Sequence, residues 1–154
     1  MHFSQAVSVI QHLIGTVKNV QVLYSESAPL GTDLVLNLSN DGIQLYFDPI
    51  CQNLKVIEVY NMKAVKLKYC GLYFNSLEVL PTIEQIDSSF GATHPALYDI
   101  EKQLMILNFP GLSFSFPIDP KCQPDLSKGL GSLYLPNSPS TVSKMLILLR
   151  ARFN

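Results

Sequence analysis

Leu34-Val35-Leu36-Asn37-Leu38-Ser39-Asn40-Asp41-Gly42-Ile43-Gln44-Leu45-Tyr46-Phe47 is the stretch that decides the fold. Leu34, Leu36 and Leu38 recur at every second residue, and Ile43, Leu45 and Phe47 do so again beyond Asn40-Asp41-Gly42. Successive side chains of a strand point to opposite faces, so each run paints one face apolar. Two such runs across an Asp-Gly turn predict a β-hairpin. Pro49 to Asn53 reads as a second turn, leading into Leu54-Lys55-Val56-Ile57-Glu58-Val59-Tyr60. The three runs together predict an antiparallel meander with one apolar face.

Upstream of the meander the period changes. Ala6, Val9, Ile10 and Leu13 keep helical spacing, flanked by Val7 and Ile14, with Ser4 as the expected N-cap and Gly15 as the end. A short strand, Asn19 to Tyr24, and a turn-rich break, Ser27 to Thr32, follow. Downstream, Ala64 to Phe74 reads as extended but alternates poorly. Pro81-Thr82-Ile83-Glu84-Gln85 then opens a helix with a Thr82 to Gln85 capping box. Ile83, Ile86 and Phe90 keep its spacing and Gly91 closes it. Three further extended stretches follow: Ala96 to Tyr98, Leu104 to Phe109, and Gly111 to Phe116.

Overlaid on itself, the chain suggests a duplication. Val7, Ile10, Ile14 and Gly15 match Ile83, Ile86, Phe90 and Gly91 at a constant offset, and Gly42 to Phe47 resembles Gly111 to Phe116. The expected class is therefore α+β, a duplicated helix-plus-antiparallel-meander unit packed as one body. The expected organisation is a single domain over 1–154, with two repeats at 1–75 and 76–150. Pro117 to Pro139 reads as loop around a short strand, Ser132 to Leu135. Val142 to Leu149 fits a strand or a helix equally.

The totals bound the function. The 154 residues suit one domain of ordinary size, able to bury a core without metal or disulfides. Charged residues make up only 15%, fewer than in an average domain, which leaves apolar surface for a partner. The net charge of −1, with signs interspersed, argues against nucleic acid, whose phosphates need clustered Lys and Arg. Cys51, Cys70 and Cys122 are an odd, unpaired set, as expected of buried thiols in a reducing compartment. No basic segment precedes the first apolar run, so a secretory signal and a membrane span are not expected. The expected location is the cytoplasm.

The search for chemistry returns little. Cys51, Cys70, Cys122, His2, His12 and His94 lack any metal-ligand spacing. There is no G-x-S-x-G elbow, and Asp87, Ser88 and His94 are neighbours in sequence without triad spacing. Glu84 and Asp87 share a helix face near its N-terminus, where carboxylates suit the dipole. Gly129-Leu130-Gly131-Ser132-Leu133-Tyr134 begins like a dinucleotide fingerprint, but Tyr134 occupies the third glycine position. No catalytic residue, cofactor or metal is expected. Lys55, Lys63, Lys66 and Lys68 are the candidate contacts for an anionic surface, with Lys66 and Lys68 on one face of a strand. The plainer account of such lysines is a solvated edge strand guarded against aggregation.

Several runs resemble a known family. They are Lys18 to Ser25, Asp41-Gly42-Ile43, Leu54 to Val59, Val65 to Gly71, Gly111 to Phe116 and, above all, Pro81 to Asp87 with Ser89 to Pro95. Together these are similar to the phagophore assembly factor family over about Phe3 to Met145. The resemblance implies a non-enzymatic regulator of autophagy, recruited to the phagophore in complex with a β-propeller (WD40-type) partner. That partner is expected to carry most of the phosphoinositide recognition, leaving direct phosphoinositide or membrane-surface binding as the alternative and a small-molecule enzyme as a lesser one. Family members are longer, so the chain is expected to correspond to their N-terminal part. Leu146 to Asn154 departs from the family pattern.

Overall fold

The computed structural model describes residues 1–13, 15–91, 96–118 and 141–149, and the chain divides into two compact units. Unit 1 comprises Met1–Asn61 and Leu146–Asn154; unit 2 comprises Met62–Met145. Unit 1 holds helix α1 (Phe3–His12) and strands β1 (Val20–Leu23), β2 (Leu34–Leu38), β3 (Ile43–Phe47) and β4 (Leu54–Val59). These strands form an antiparallel meander in chain order, with Leu38 opposite Ile43 and Ile43 opposite Val59. Unit 2 opens with a one-turn 3-10 helix, Met62–Ala64, and a two-stranded sheet, β5 (Leu67–Tyr69) with β6 (Leu72–Asn75). Helix α2 (Ile83–Phe90) and an antiparallel meander, β7 (Leu97–Asp99), β8 (Leu104–Phe109) and β9 (Leu112–Pro117), complete it. The last strand, β10 (Lys144–Leu148), carries the chain from unit 2 back into unit 1. Ser143 N–H donates to Ser115 C=O at 2.9 Å on the unit 2 side; Leu149 N–H donates to Lys55 C=O at 2.8 Å within unit 1.

This overturns the expected class. The described residues are mostly β, with ten strands and two α-helices of 10 and 8 residues, so the chain is not a balanced α+β duplication. Unit 1 has a four-stranded meander, whereas unit 2 has a three-stranded one and a β-hairpin ahead of its helix. The helical overlay misled because any two amphipathic helices share the i, i+3, i+7 period. A glycine after each strengthened a likeness that the strands do not continue. Val142 to Leu149, ambiguous in sequence, forms strand. Ser132 to Leu135 lies outside the described residues.

The hairpin of β2 and β3 forms as predicted, and its glycine is required twice over. Gly42 has φ +63°, a conformation that costs any residue with a side chain. A Cβ placed there would lie 2.3 Å from Asn61 Cβ. The bare backbone lets the Gly42 carbonyl accept from Tyr60 N–H (2.9 Å) and Asn61 N–H (3.2 Å), tying the turn to the end of the meander.

Helix α1 packs on the apolar face of its meander, but not along the expected stripe. Ala6, Leu36 and Phe47 are buried, with Phe3, Val7, Ile10, Leu34, Leu45 and Leu54 packed around them. Phe3 meets Phe47 edge to face, centroids 5.2 Å apart. The stripe is thus Phe3, Ala6, Val7 and Ile10, the same i, i+3, i+4, i+7 period with a different phase. Val9 and Leu13 are about half exposed, at 51% and 47%. The cap moves with it: His2, not Ser4, is the N-cap, its Nδ1 accepting from Ser4 N–H while Gln5 Oε1 accepts from His2 N–H at 2.9 Å. Leu13, not Gly15, is the C-cap.

The capping box of α2 forms as expected. Thr82 Oγ1 accepts from Gln85 N–H (3.3 Å), and Gln85 Oε1 accepts from Thr82 N–H (2.9 Å). Gly91, at φ +81°, closes the helix by donating its N–H to Asp87 C=O. Ile83 and Ile86 are buried, as are Met105, Leu107, Phe114 and Phe116 of β8 and β9.

Candidate functional site: a basic, aromatic hairpin

The stretch Ala64 to Phe74, expected merely as extended, is a tight hairpin. Cys70 and Gly71 both have positive φ, 49° and 81°, the backbone of a two-residue turn whose twist matches that of paired strands. Alternation was hard to read because the pairing shifts between Leu67 and Lys68, so that Leu67 faces Asn75 and Lys68 faces Tyr73. The hairpin is anchored at its base by Asn75, which is 1% exposed. Its Nδ2 donates to the carbonyls of Met62 (2.7 Å) and Val65 (2.8 Å).

One set of hairpin side chains turns to the helix. The Tyr69 ring lies 4.3 Å from that of Phe90, and Phe74 stands edge-on to Phe90 at 5.4 Å. Phe90 in turn meets Phe114 (5.2 Å) and Phe109 (5.6 Å), so one ring at the end of α2 joins hairpin to meander. Such offset and edge-on pairs each add about 1 kcal/mol beyond area burial. Beside this cluster runs an open groove of about 650 Å³, lined by Tyr69, Leu72, Phe74 and Val79 together with Gln85, Ser88 and Ser89.

The other set is cationic. Lys66 Nζ and Lys68 Nζ lie 4.5 Å and 4.3 Å from the centre of the same Tyr73 ring. The ring's negative face attracts both ammonium groups. No carboxylate among the described residues forms an ion pair with either one. Of the other two candidate lysines, Lys63 sits exposed on the 3-10 helix of the same unit. Lys55 belongs to β4 of unit 1, where its Nζ pairs with Asp33 Oδ1 at 2.6 Å. The structure therefore brings Lys66 and Lys68 together and commits Lys55 elsewhere.

The remaining candidates scatter. Cys51 and Cys70 are exposed, which corrects the expectation of buried thiols: each occupies a tight turn, where the backbone runs at the surface. Ser88 Oγ donates to Gln85 C=O at 3.1 Å, an ordinary contact within its own helix. Glu84 is an exposed first-turn acid of α2. His94, Cys122 and the Gly129 to Tyr134 stretch lie outside the described residues.

A polar row in unit 1 was not foreseen from the sequence. Gln21, Asn37, Gln44 and Glu58 stand side by side across β1 to β4. Gln44 Nε2 donates to Asn37 Oδ1 (3.4 Å) and Asn37 Nδ2 to Gln21 Oε1 (3.3 Å), while Tyr60 OH donates to Asn37 Oδ1 (3.1 Å). Glu58 is buried and accepts from Tyr46 OH at 2.6 Å. Burial, then the bond to Glu58, then the charges of Glu58 and Asp33 push the Tyr46 phenol up to about 12. The signal was present as polar residues at matching alternate positions, but only pairing register lines them up.

Fold and surface define a mostly β chain in two units, one closed around a helix-covered sheet, the other carrying a basic, aromatic hairpin. The family model described as Phagosome assembly factor 1 matches residues 1–152, and the chain belongs to that family. It is 59% identical over 146 residues to a PHAF1 protein of Drosophila melanogaster, covering 94% of this chain and 33% of that protein. It is 32% identical to a PHAF1 protein of Caenorhabditis elegans, covering 96% of this chain and 36% of the relative. It is also 32% identical to an Arabidopsis thaliana PHAF1 protein, over 77% of this chain and 29% of the relative. The chain thus spans about a third of the length of these relatives. No solved structure matches it.

Proposed function

We propose that the chain is a non-enzymatic adaptor of autophagy, cytoplasmic and recruited to the phagophore in complex with a β-propeller (WD40-type) protein. Phosphoinositide-bearing membranes are then reached chiefly through that partner. The observation that carries this reading is the match to the Phagosome assembly factor 1 family over residues 1–152. An assembly factor acts by holding other proteins, and the surface suits such work. Strand β1 lies at the edge of its sheet with Val20, Val22 and Leu23 all exposed and no charged residue along it. A bare apolar edge is a template for pairing, so it favours a covered state in the working protein. No helix among the described residues is long and apolar enough to cross a membrane, which fits recruitment by association.

The test is a tagged pull-down of this chain from cells, read by mass spectrometry, beside a full-length relative. Recovery of a β-propeller protein with both is the expected result. Recovery with the relative alone would move the partner surface outside these residues, and recovery with neither would overturn the reading.

A further inference from the structure

We propose that the β5–β6 hairpin is a membrane-surface wedge that docks directly on an anionic bilayer. Three observations in unit 2 carry it, independently of any propeller partner. The ammonium groups of Lys66 and Lys68 flank one tyrosine ring with no carboxylate paired to them among the described residues. That is a concentrated positive charge presented beside an aromatic ring, the pairing that sits at the headgroup level of a bilayer. One pair further along, at the turn and on the hairpin's other face, the tip is apolar and bare: Leu72, opposite Tyr69 across the turn, is 76% exposed. Finally, the exposure is local. Among the described residues of unit 2, five of seven exposed large apolar side chains are Tyr69, Leu72, Tyr73, Leu77 and Val79.

A bilayer suits this surface better than an acidic protein does. The hairpin has strands of only three and four residues. A stable protein interface takes about 20–30 residues from each partner, far more than the stretch Leu67–Asn75 that makes up the hairpin. A bilayer asks only for shallow burial of a few apolar side chains with cations at headgroup depth. The two-residue turn and the buried Asn75 anchor hold the tip in shape, so little ordering entropy opposes insertion.

The test uses the whole chain and phosphatidylcholine vesicles with or without phosphatidylserine. The wild-type chain should sediment with the phosphatidylserine vesicles, bind phosphatidylcholine alone weakly, and lose binding as salt rises. Each lysine near an anionic surface is worth roughly fivefold in partition, so Lys66→Glu with Lys68→Glu should weaken binding by well over tenfold. Both lysines are exposed, and an unchanged melting temperature would show the fold intact. A second readout needs no loss of charge. The chain has no tryptophan, so Leu72→Trp installs a single reporter whose emission should shift to the blue with phosphatidylserine vesicles. Undiminished binding by the double variant, or no blue shift, would overturn the proposal. So would a wild-type chain that ignores the vesicles while the double variant loses a protein from the pull-down; the hairpin would then serve an acidic protein partner.

Discussion

The two units solve the same problem, covering one face of a small antiparallel sheet with a short helix, and solve it differently. In unit 1 the helix meets its sheet through Ala6, a side chain small enough to bring it close, and the seam is filled by Leu36 and Phe47. In unit 2 a large ring, Phe90, joins hairpin, helix and meander, while Ser88 and Ser89 leave a groove open alongside. Close contact through small residues gives a filled seam with few cavities. The contrast teaches that the site-bearing unit joins its elements through one aromatic ring with a groove beside it, whereas the helix of unit 1 is seated through a small side chain.

The sharpest way to break this comparison is to delete one ring from each side. Phe47 is fully buried, so Phe47→Ala should cost about 4 kcal/mol in a denaturant melt. Phe90 is only half-buried, so Phe90→Ala should cost about 2 kcal/mol, and it should loosen the hairpin in hydrogen exchange before anything else. Equal costs would remove the distinction. The turn glycines sharpen it next. Gly42→Ala meets both a left-handed backbone and Asn61, and should cost about 3 kcal/mol. Gly71 shares the left-handed backbone, but an added Cβ there would meet nothing within 4 Å, so Gly71→Ala should cost only about 1 kcal/mol.

Smaller effects follow from titration. The folded Tyr46 phenol titrates near 12 and an ordinary tyrosine near 10, so the native state holds this proton more tightly. That stabilisation is complete below about pH 10 and is lost as pH rises through about 12. Tyr46→Phe should cost about 1 kcal/mol at neutral pH and flatten the alkaline limb of a stability profile. The least effect belongs to two turn carboxylates, one per unit. Asp48 is held below the usual carboxylate range by Cys51 N–H and then Ile50 N–H, Asp99 by Lys102 N–H. Both therefore help above the ordinary carboxylate pKa and cease to help as pH falls below it. Asp48→Asn and Asp99→Asn should each slightly shallow the acid limb of that profile.

How much of this was legible depended on whether the deciding interaction was local. Turn and cap chemistry acts within a few residues, so the Gly42 hairpin, the Thr82–Gln85 box and the Gly91 stop could be read directly. The phase of α1 was not local, because Val9 and Leu13 are as apolar as the residues that pack; only the sheet beneath selects Phe3 and Val7. The β5–β6 hairpin was hidden by an unusual turn residue, Cys70, and by a shift in pairing that broke the alternation. Of the site, the grouping of Lys66 with Lys68 was visible as a spacing of two. Their shared partner Tyr73 was not, because it lies across a turn that had not been recognised. The α+β duplication failed for the same reason in larger form: periodicity describes single elements and does not reveal how many strands follow.

The division of the chain has a consequence for its biogenesis. Unit 2, Met62–Met145, is contiguous, whereas unit 1 is written in two instalments separated by the whole of unit 2. On the ribosome the residues of unit 2 are therefore all present before unit 1 has received Leu146 to Leu149, the segment that bonds to Lys55. At ordinary synthesis rates of about 5–20 residues per second, the first instalment waits several seconds with that backbone edge unclaimed. Unit 1 thus starts before unit 2 and is completed after it, and a nascent chain stalled before Leu146 would present an open sheet edge to chaperones.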